Sequence, residues 1–257
     1  MTLIPIHTAD EWRDRRDGPS RPPRPIGFVP TMGALHDGHA ALIVRSRAEN
    51  ATTVVSIFVN PAQFNDPRDF EAYPRTLETD LRRLEDLGVD FVFLPDEPSL
   101  YRDGYRYRVT ETDVSLGLCG AHRPGHFDGV LTAVLKLLNI FQPNAAYFGE
   151  KDYQQYRLVQ GMAQALFLDV EIRPCPIVRE SDGVALSSRN LRLSHAGRMR
   201  AAQFAHVLRT GPTAQAVHAA LDAIDIEVEY VEAWEGRLLA AVIVDGVRLI
   251  DNVPIPR

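Results

Sequence analysis

Two histidines set three apart in Pro30-Thr31-Met32-Gly33-Ala34-Leu35-His36-Asp37-Gly38-His39 are the first residues of this chain whose types and spacing point to chemistry. On a helical turn His36 and His39 share one face, and two imidazoles aimed at one polyphosphate can hydrogen-bond it. At a transition state they can neutralise charge on a phosphorus under attack and on the departing pyrophosphate. Gly33 and Gly38 let backbone approach a ligand, and the N–H groups of a helix start attract phosphate oxygens. The competing reading is a pair of capping or surface histidines, because short motifs match by chance. Their place directly after a strand raises the ligand reading.

A second segment, Phe148-Gly149-Glu150-Lys151-Asp152, also lies between a strand and a helix. Of 28 basic residues, 26 are arginine and only Lys136 and Lys151 are lysine. A lysine kept beside a glycine at a strand end in such a chain points to a need for a compact point charge, as phosphate sites often have. Lys136, inside the apolar stretch Val134 to Leu138, is the internal control and reads as a helix lysine that snorkels. A third segment runs Val178-Arg179-Glu180-Ser181-Asp182-Gly183 and then Leu186-Ser187-Ser188-Arg189-Asn190. Two hydroxyls and a guanidinium after a glycine turn can clamp phosphates, although alone such a run more often makes a turn and a helix cap. In the fourth, Ser56 to Phe64, Asn60 and Gln63 stand just past a strand end, where neutral amides suit a small polar substrate.

Cys119, His122 and His126 have a C-x2-H-x3-H spacing that zinc could use, but a fourth ligand is not evident and one cysteine supplies little of the pattern. Gly120, Pro124 and Gly125 suggest instead a shaped loop presenting Arg123 to an anion. Asp80, Asp86 and Asp90 read as solvated helix and turn charges.

These segments need elements to position them. Thr8 with Glu11 resembles a capping box, so a short helix is expected before the Pro- and Arg-rich stretch Pro19 to Pro25. Strand Ile26 to Val29, helix His39 to Glu49 and the β-branched strand Thr52 to Val59 make a βαβ unit. Helix Thr76 to Leu87 and strand Phe91 to Leu94 repeat the alternation. Helix Gly129 to Phe141, strand Ala145 to Phe148, helix Tyr153 to Leu166 and strand Val170 to Arg173 continue it. The pattern predicts an α/β fold, a Rossmann-like parallel sheet with helices on both faces. Beyond about Ile177 the expected elements are helices from Ser194 to Leu208 and Thr213 to Ile224, and strands Val228 to Val231, Leu238 to Val244 and Val247 to Ile250. They read as a small C-terminal α+β domain. The expected boundaries are 1–177 and 178–257.

The composition fits an ordinary globular protein: 257 residues, 45% hydrophobic and 24% charged. With 34 acidic against 28 basic residues the net charge is −6, which argues against a nucleic-acid partner. Two cysteines are too few for a disulfide framework, and a reducing cytosol suits them. Asp10, Glu11 and Asp14 stand where a leader's apolar core would run, and apolar runs fall short of the roughly 18 residues needed to span a bilayer. A soluble cytoplasmic protein with no membrane partner is expected.

Taken together, Val29 to His39, Ser56 to Phe64 with Tyr73-Pro74-Arg75-Thr76, Cys119 to Val130, Phe148 to Gln155 and Val178 to Asn190 resemble, in order, the pantothenate synthetase (pantoate/beta-alanine ligase) family of the HxGH nucleotidyltransferase-like superfamily. The resemblance resumes near Tyr230 to Asn252, where Arg248-Leu249-Ile250-Asp251-Asn252 is family-like. It implies that pantoate is adenylated by ATP with Mg2+, and that beta-alanine then displaces AMP. It implies that Met32, Gly33, Ala34, Leu35, His36, Asp37, Gly38 and His39 hold ATP, with His39 as proton donor and His36 assisting. Gly149, Glu150, Lys151 and Asp152 would line its other side with Lys151 on the phosphates, Val178 would contact adenine, and Leu186, Ser187, Ser188 and Arg189 would close over the phosphates. Gln63 and Gln155 would grip pantoate, Gln63 would also reach beta-alanine, and the protein would be a homodimer; the resemblance names no metal ligand. Leu186 stands where the family usually has Met, and the interval from Asn190 to Tyr230 is shorter than expected, so a trimmed second domain is expected. The alternatives are another HxGH nucleotidyltransferase, such as a cytidylyltransferase or an NMN-type adenylyltransferase, and an inert nucleotide-binding module.

Overall fold

The computed structural model describes residues 2–255. Strands β1 (Ile4–Ile6), β2 (Ile26–Thr31), β3 (Thr52–Ile57), β4 (Phe91–Phe93), β5 (Ala145–Gly149) and β6 (Glu171–Cys175) form one parallel sheet in the order β1-β4-β3-β2-β5-β6. The longer helices between them are α1 (Ala9–Asp17), α2 (Asp37–Glu49), α4 (Leu77–Asp86), α7 (His126–Phe141) and α8 (Tyr153–Ala165); α3 (Pro67–Glu71), α5 (Glu97–Leu100) and α6 (Cys119–His122) are single turns or little more.

Strand periodicity explains the layers, because successive residues face opposite sides. Phe28 stacks on Phe141 of α7, and Trp12 of α1 meets both Phe91 and Phe141. The neighbouring strand residues Val29, Val55 and Val92 face the other way, into a core with Leu42 and Ile43 of α2 and Leu84 of α4. Burial on both faces is why these strands read as continuous apolar runs rather than alternating ones.

The chain winds outward from β2 to β3 and β4, then returns to the far side of β2 for β5. Ligands in such sheets bind outside the carboxyl ends of the strands where the order reverses. Here those ends lead into Met32–His39 after β2 and Glu150–Asp152 after β5. The expected opening helix is preceded by a strand that the sequence pattern did not single out: β1 adds to the sheet edge by pairing with β4. The predicted cap is present in altered form. Thr8 accepts the Glu11 N–H (3.1 Å), and the Glu11 carboxylate accepts the N–H of His7, one residue before the cap (2.7 Å).

The chain divides into two compact units. The first holds residues up to Gly149 together with Gln154–Cys175, and the second holds Glu150–Tyr153 and the chain from Pro176 onward. In the second, β7 (Glu227–Trp234), β8 (Arg237–Val244) and β9 (Val247–Pro254) form an antiparallel sheet in that order, joined by α9 (His195–Thr210) and α10 (Ala214–Asp222). Both hairpins turn on two residues with positive φ, Glu235-Gly236 and Asp245-Gly246, as two-residue type I′ turns require. Phe204 and Leu208 of α9, and Val217 and Leu221 of α10, share a core with Leu238, Ala240 and Val242 of β8. β7 and β9 each run several residues past their expected ends, because β8 pairs with them along its whole length.

Candidate active site

In the first unit the segment after β2 is shaped by two consecutive residues in the left-handed region, Gly33 (φ +78°) and Ala34 (φ +48°). Only glycine adopts that region without cost, so Ala34 needs an anchor. Asp80 of α4 supplies it. Its carboxylate, 2% exposed, accepts the N–H groups of Ala34 (2.9 Å) and Leu35 (2.8 Å) and the hydroxyl of Thr76 (3.1 Å). Three residues further along α4, Arg83 donates to the Leu35 carbonyl (3.3 Å) and pairs with the carboxylate of Asp37. The reading of Asp80 as a solvated charge is therefore corrected: it is the buried clamp of the loop. Asp90 is likewise half-buried and accepts the N–H of Thr53 (2.8 Å), whereas Asp86 is exposed.

Beyond this anchor His36 caps α2. Its Nδ1 accepts the Gly38 N–H (3.1 Å), and Nδ1 of His39 accepts the His36 backbone N–H (3.3 Å), a reciprocal capping box with the rings 4.0 Å apart. Capping and ligand readings are thus compatible. A ring nitrogen that accepts carries no proton, so in each neutral imidazole the proton sits on Nε2 and makes that atom a donor.

Gln63 is held from three sides. Burial pushes the Tyr101 phenol well above its ordinary value, so it stays protonated and donates to Asn60 Oδ1 (2.7 Å). Asn60 must then present Nδ2 elsewhere, and it donates to Gln63 Oε1 (3.0 Å) and the Gly129 carbonyl (3.1 Å). That leaves Gln63 Nε2 as a donor, directed at Met32 Sδ (3.0 Å). Pantoate and ATP candidates, Gln63 and Met32, are thereby brought into contact. The backbone carbonyl of Gln63 accepts from His126 Nδ1 (2.8 Å) and Arg123 Nη2 (3.0 Å), while Arg123 Nη1 reaches His126 Nε2 (3.0 Å). Arg123 is thus engaged in holding Gln63. His126 is engaged the same way, and no cluster of three metal-ligating side chains occurs among the described residues. Gln155 is half-buried on α8. Its buried neighbour Gln154 accepts from Cys119 N–H (3.0 Å) and donates to the carbonyls of Val114 and Gly117 (both 2.8 Å).

In the second unit Glu150–Asp152 form a turn of 3-10 helix. Lys151 Nζ lies 4.0 Å from Asp152 Oδ1, too long for a hydrogen bond. Lys136, by contrast, is committed to structure, donating to Asp103 (2.8 Å) and the Leu100 carbonyl (3.2 Å). The Val178 carbonyl accepts the Leu186 N–H (3.0 Å), closing a hairpin whose returning limb is pinned by Asn190 donating to the Ala185 carbonyl (3.1 Å). Ser187 then caps the turn Ser188–Arg192 by accepting the Arg189 N–H (3.2 Å). This is the capping turn expected as the alternative reading of Leu186 to Asn190.

Comparison with known proteins follows the same lines. The model of the pantoate-beta-alanine ligase family matches residues 5–254. The chain is 50% identical over 247 residues to a pantothenate synthetase of Legionella pneumophila, covering 96% of this chain and 98% of that one. It is 50% identical to a pantothenate synthetase of Bdellovibrio bacteriovorus over 95% of each. Among solved structures, a Francisella tularensis pantoate-beta-alanine ligase complexed with beta-gamma ATP and beta-alanine superposes with a TM-score of 0.92 at 38% identity, over 98% of this chain and 97% of that one. A pantothenate synthetase of Thermus thermophilus gives 0.90 at 38% identity, over 99% and 100%. Such coverage in both directions means that these relatives share this chain's length.

Proposed function

The chain belongs to the pantoate-beta-alanine ligase family, and from that premise we propose that it condenses pantoate with beta-alanine using ATP. The carboxylate of pantoate attacks the α-phosphorus and releases pyrophosphate. The amine of beta-alanine then attacks the acyl carbon of the pantoyl adenylate and AMP departs. Family membership sets aside the other HxGH nucleotidyltransferases, and the observation that carries the substrate reading is the oriented amide of Gln63 beside Met32. With Oε1 occupied by Asn60, Gln63 offers N–H donors to the hydroxy acid and holds it without neutralising the nucleophilic carboxylate.

In this reading Met32 to His39 receive ATP at the start of α2. The Nε2–H groups of His36 and His39 donate to phosphate oxygens, with His39 as the proton donor and His36 assisting. Gly149 to Asp152, Val178 and Leu186 to Arg189 serve the nucleotide, Lys151 and Arg189 placing charge on the phosphates. Gln155 joins Gln63 on pantoate. Mg2+ characteristically takes phosphate oxygens and waters with one or two carboxylates, and the described residues hold no three-ligand cluster. The donor set therefore fits an ion that arrives on ATP, with Asp152 as the carboxylate at hand, and its chemistry would be charge neutralisation on the phosphates. A homodimer and a cytoplasmic location complete the reading; light scattering and cell fractionation test them. Among the described residues no helix is long and apolar enough to cross a membrane.

The test is pyrophosphate exchange into ATP. Pantoate alone should support exchange, and AMP should appear only when beta-alanine is added. Exchange with another small acid but none with pantoate at any Mg2+ concentration would overturn the substrate assignment.

A further inference from the structure

The run Arg248-Leu249-Ile250-Asp251-Asn252 has no part in the reaction as derived so far. It lies on β9, an edge strand, and yet Asp251 is 3% and Asn252 1% exposed. Adjacent strand residues face opposite sides, so two buried polar side chains in succession need partners on both. Asp251 takes Arg179 in a two-pronged pair (2.6 and 2.9 Å), and the same guanidinium donates to the carbonyls of Gly183 (3.0 Å) and Asn252 (3.2 Å). β9 is thereby locked to the hairpin that leads into Leu186–Arg189.

Asn252 faces the other way. Its Oδ1 accepts from Arg237 Nε (2.5 Å), which leaves Nδ2 as the donor, and Nδ2 donates to the carbonyls of Glu150 (2.8 Å) and Lys151 (3.0 Å). Those carbonyls belong to the two peptide planes that flank the Lys151 Cα. Holding both planes sets φ and ψ of Lys151, and with them the direction in which its side chain leaves the backbone.

We propose that Asn252, backed by the Arg179–Asp251 pair, is a positioning residue for Lys151, setting that ammonium in register with the Ser187–Arg189 turn of the same unit. The inference rests on the reading that Lys151 serves the phosphates of ATP. It assigns Asn252 no contact with substrate.

Asn252→Asp keeps the size of the side chain and a partner for Arg237, but it turns two attractions into two repulsions between a carboxylate and carbonyl oxygens. The experiment is a double-mutant cycle in the full chain, reading single-turnover formation of pantoyl adenylate at saturating ATP and pantoate in wild type, N252D, K151A and the double variant. Thermal unfolding is measured first, and where N252D is not folded N252A completes the same cycle. The expected loss is about 10²-fold for N252D in the wild-type background, the size of a 1 Å misplacement, and less than about threefold in the K151A background, because interacting residues are not additive. An equal loss in both backgrounds would mean that Asn252 supports the fold rather than Lys151 and would overturn the proposal, as would a folded N252D that works at the wild-type rate. A K151A enzyme with the wild-type rate would remove the premise itself and fail separately.

Discussion

Replacing Asp80 with Asn changes one atom of a buried side chain and tests whether α4 holds the loop from Met32 to His39. The carboxylate accepts two backbone N–H groups and one hydroxyl at 2.8 to 3.1 Å. An amide can offer an oxygen to only one side. If its nitrogen faces Leu35, two donors meet and that bond is lost; if it faces Ala34, that bond is lost, although the Thr76 hydroxyl can turn and accept. Either way one hydrogen bond to a charged group disappears, worth about 1.5–3 kcal/mol, and the survivors lose their charge assistance. The sum is about 3 kcal/mol, which at about 2–4 °C per kcal/mol for a chain of this size lowers the melting temperature by about 6–12 °C. The loss also exceeds the roughly 1–2 kcal/mol needed to keep Ala34 left-handed. The loop therefore relaxes, and the capping histidines move with it. Pantoate-dependent exchange should fall about 10²-fold. A D80N protein that melts within about 2 °C of wild type and exchanges within about threefold would refute the clamp.

Other perturbations probe separate parts of the molecule. Lys151→Ala should slow adenylation about 10²- to 10³-fold, leaving a rate that single-turnover kinetics still reads, while costing stability under about 1 kcal/mol; a large fall in melting temperature with intact turnover would make the residue structural. Gly129→Ala reverses the usual rule that alanine stabilises a helix by about 1 kcal/mol, because a Cβ there would lie 2.2 Å from the Ala62 carbonyl and 2.7 Å from the Gln63 nitrogen. The expected result is a less stable protein with a raised KM for pantoate, and an unchanged KM would show that Gln63 is not held by this contact. Glu49 is depressed from 4.5 to about 2, chiefly by hydrogen bonding to Arg45, then to Tyr147 and Arg173. A carboxyl lowered on folding stabilises fully above its unfolded value and loses that contribution as pH falls through the folded one. The urea midpoints of wild type and Glu49→Gln should therefore differ at pH 7 and converge between about 4.5 and about 2, whereas a gap independent of pH would exclude the ionised network as its cause.

Local chemistry was legible wherever a residue's neighbours in sequence are also its neighbours in space. The alternation of strands and helices and the histidine pair at a helix start belong to that class. The scarcity of lysine likewise drew attention to Lys151 from composition alone, although only the fold shows that Lys136 is bound by Asp103, 33 residues away. Two and three residues suffice to specify such features, because the strand period and the first helical turn are short-range geometries.

What stayed hidden is what long-range contact decides. Asp80 has the pattern of a surface helix carboxylate, and only its approach to Ala34, 46 residues earlier, makes it a clamp. Asn60 and Gln63 were visible as amides past a strand, but which atom of each donates depends on Tyr101, 41 residues on from Asn60. Arg123 and His126 suggested an anion or a metal, and only the fold shows that both hold the carbonyl of Gln63. Asp251 and Asn252 broke the apolar pattern of their strand and so ended it early on paper; in the fold they are buried because Arg179 and the peptide planes around Lys151 need them. The amino-acid sequence by itself determined the chemistry available, since residue types and short spacings set which groups can donate, accept or carry charge. Only the tertiary structure decided which of those groups are satisfied internally and by which partners, because burial and hydrogen-bond saturation are properties of surroundings that distant parts of the chain supply.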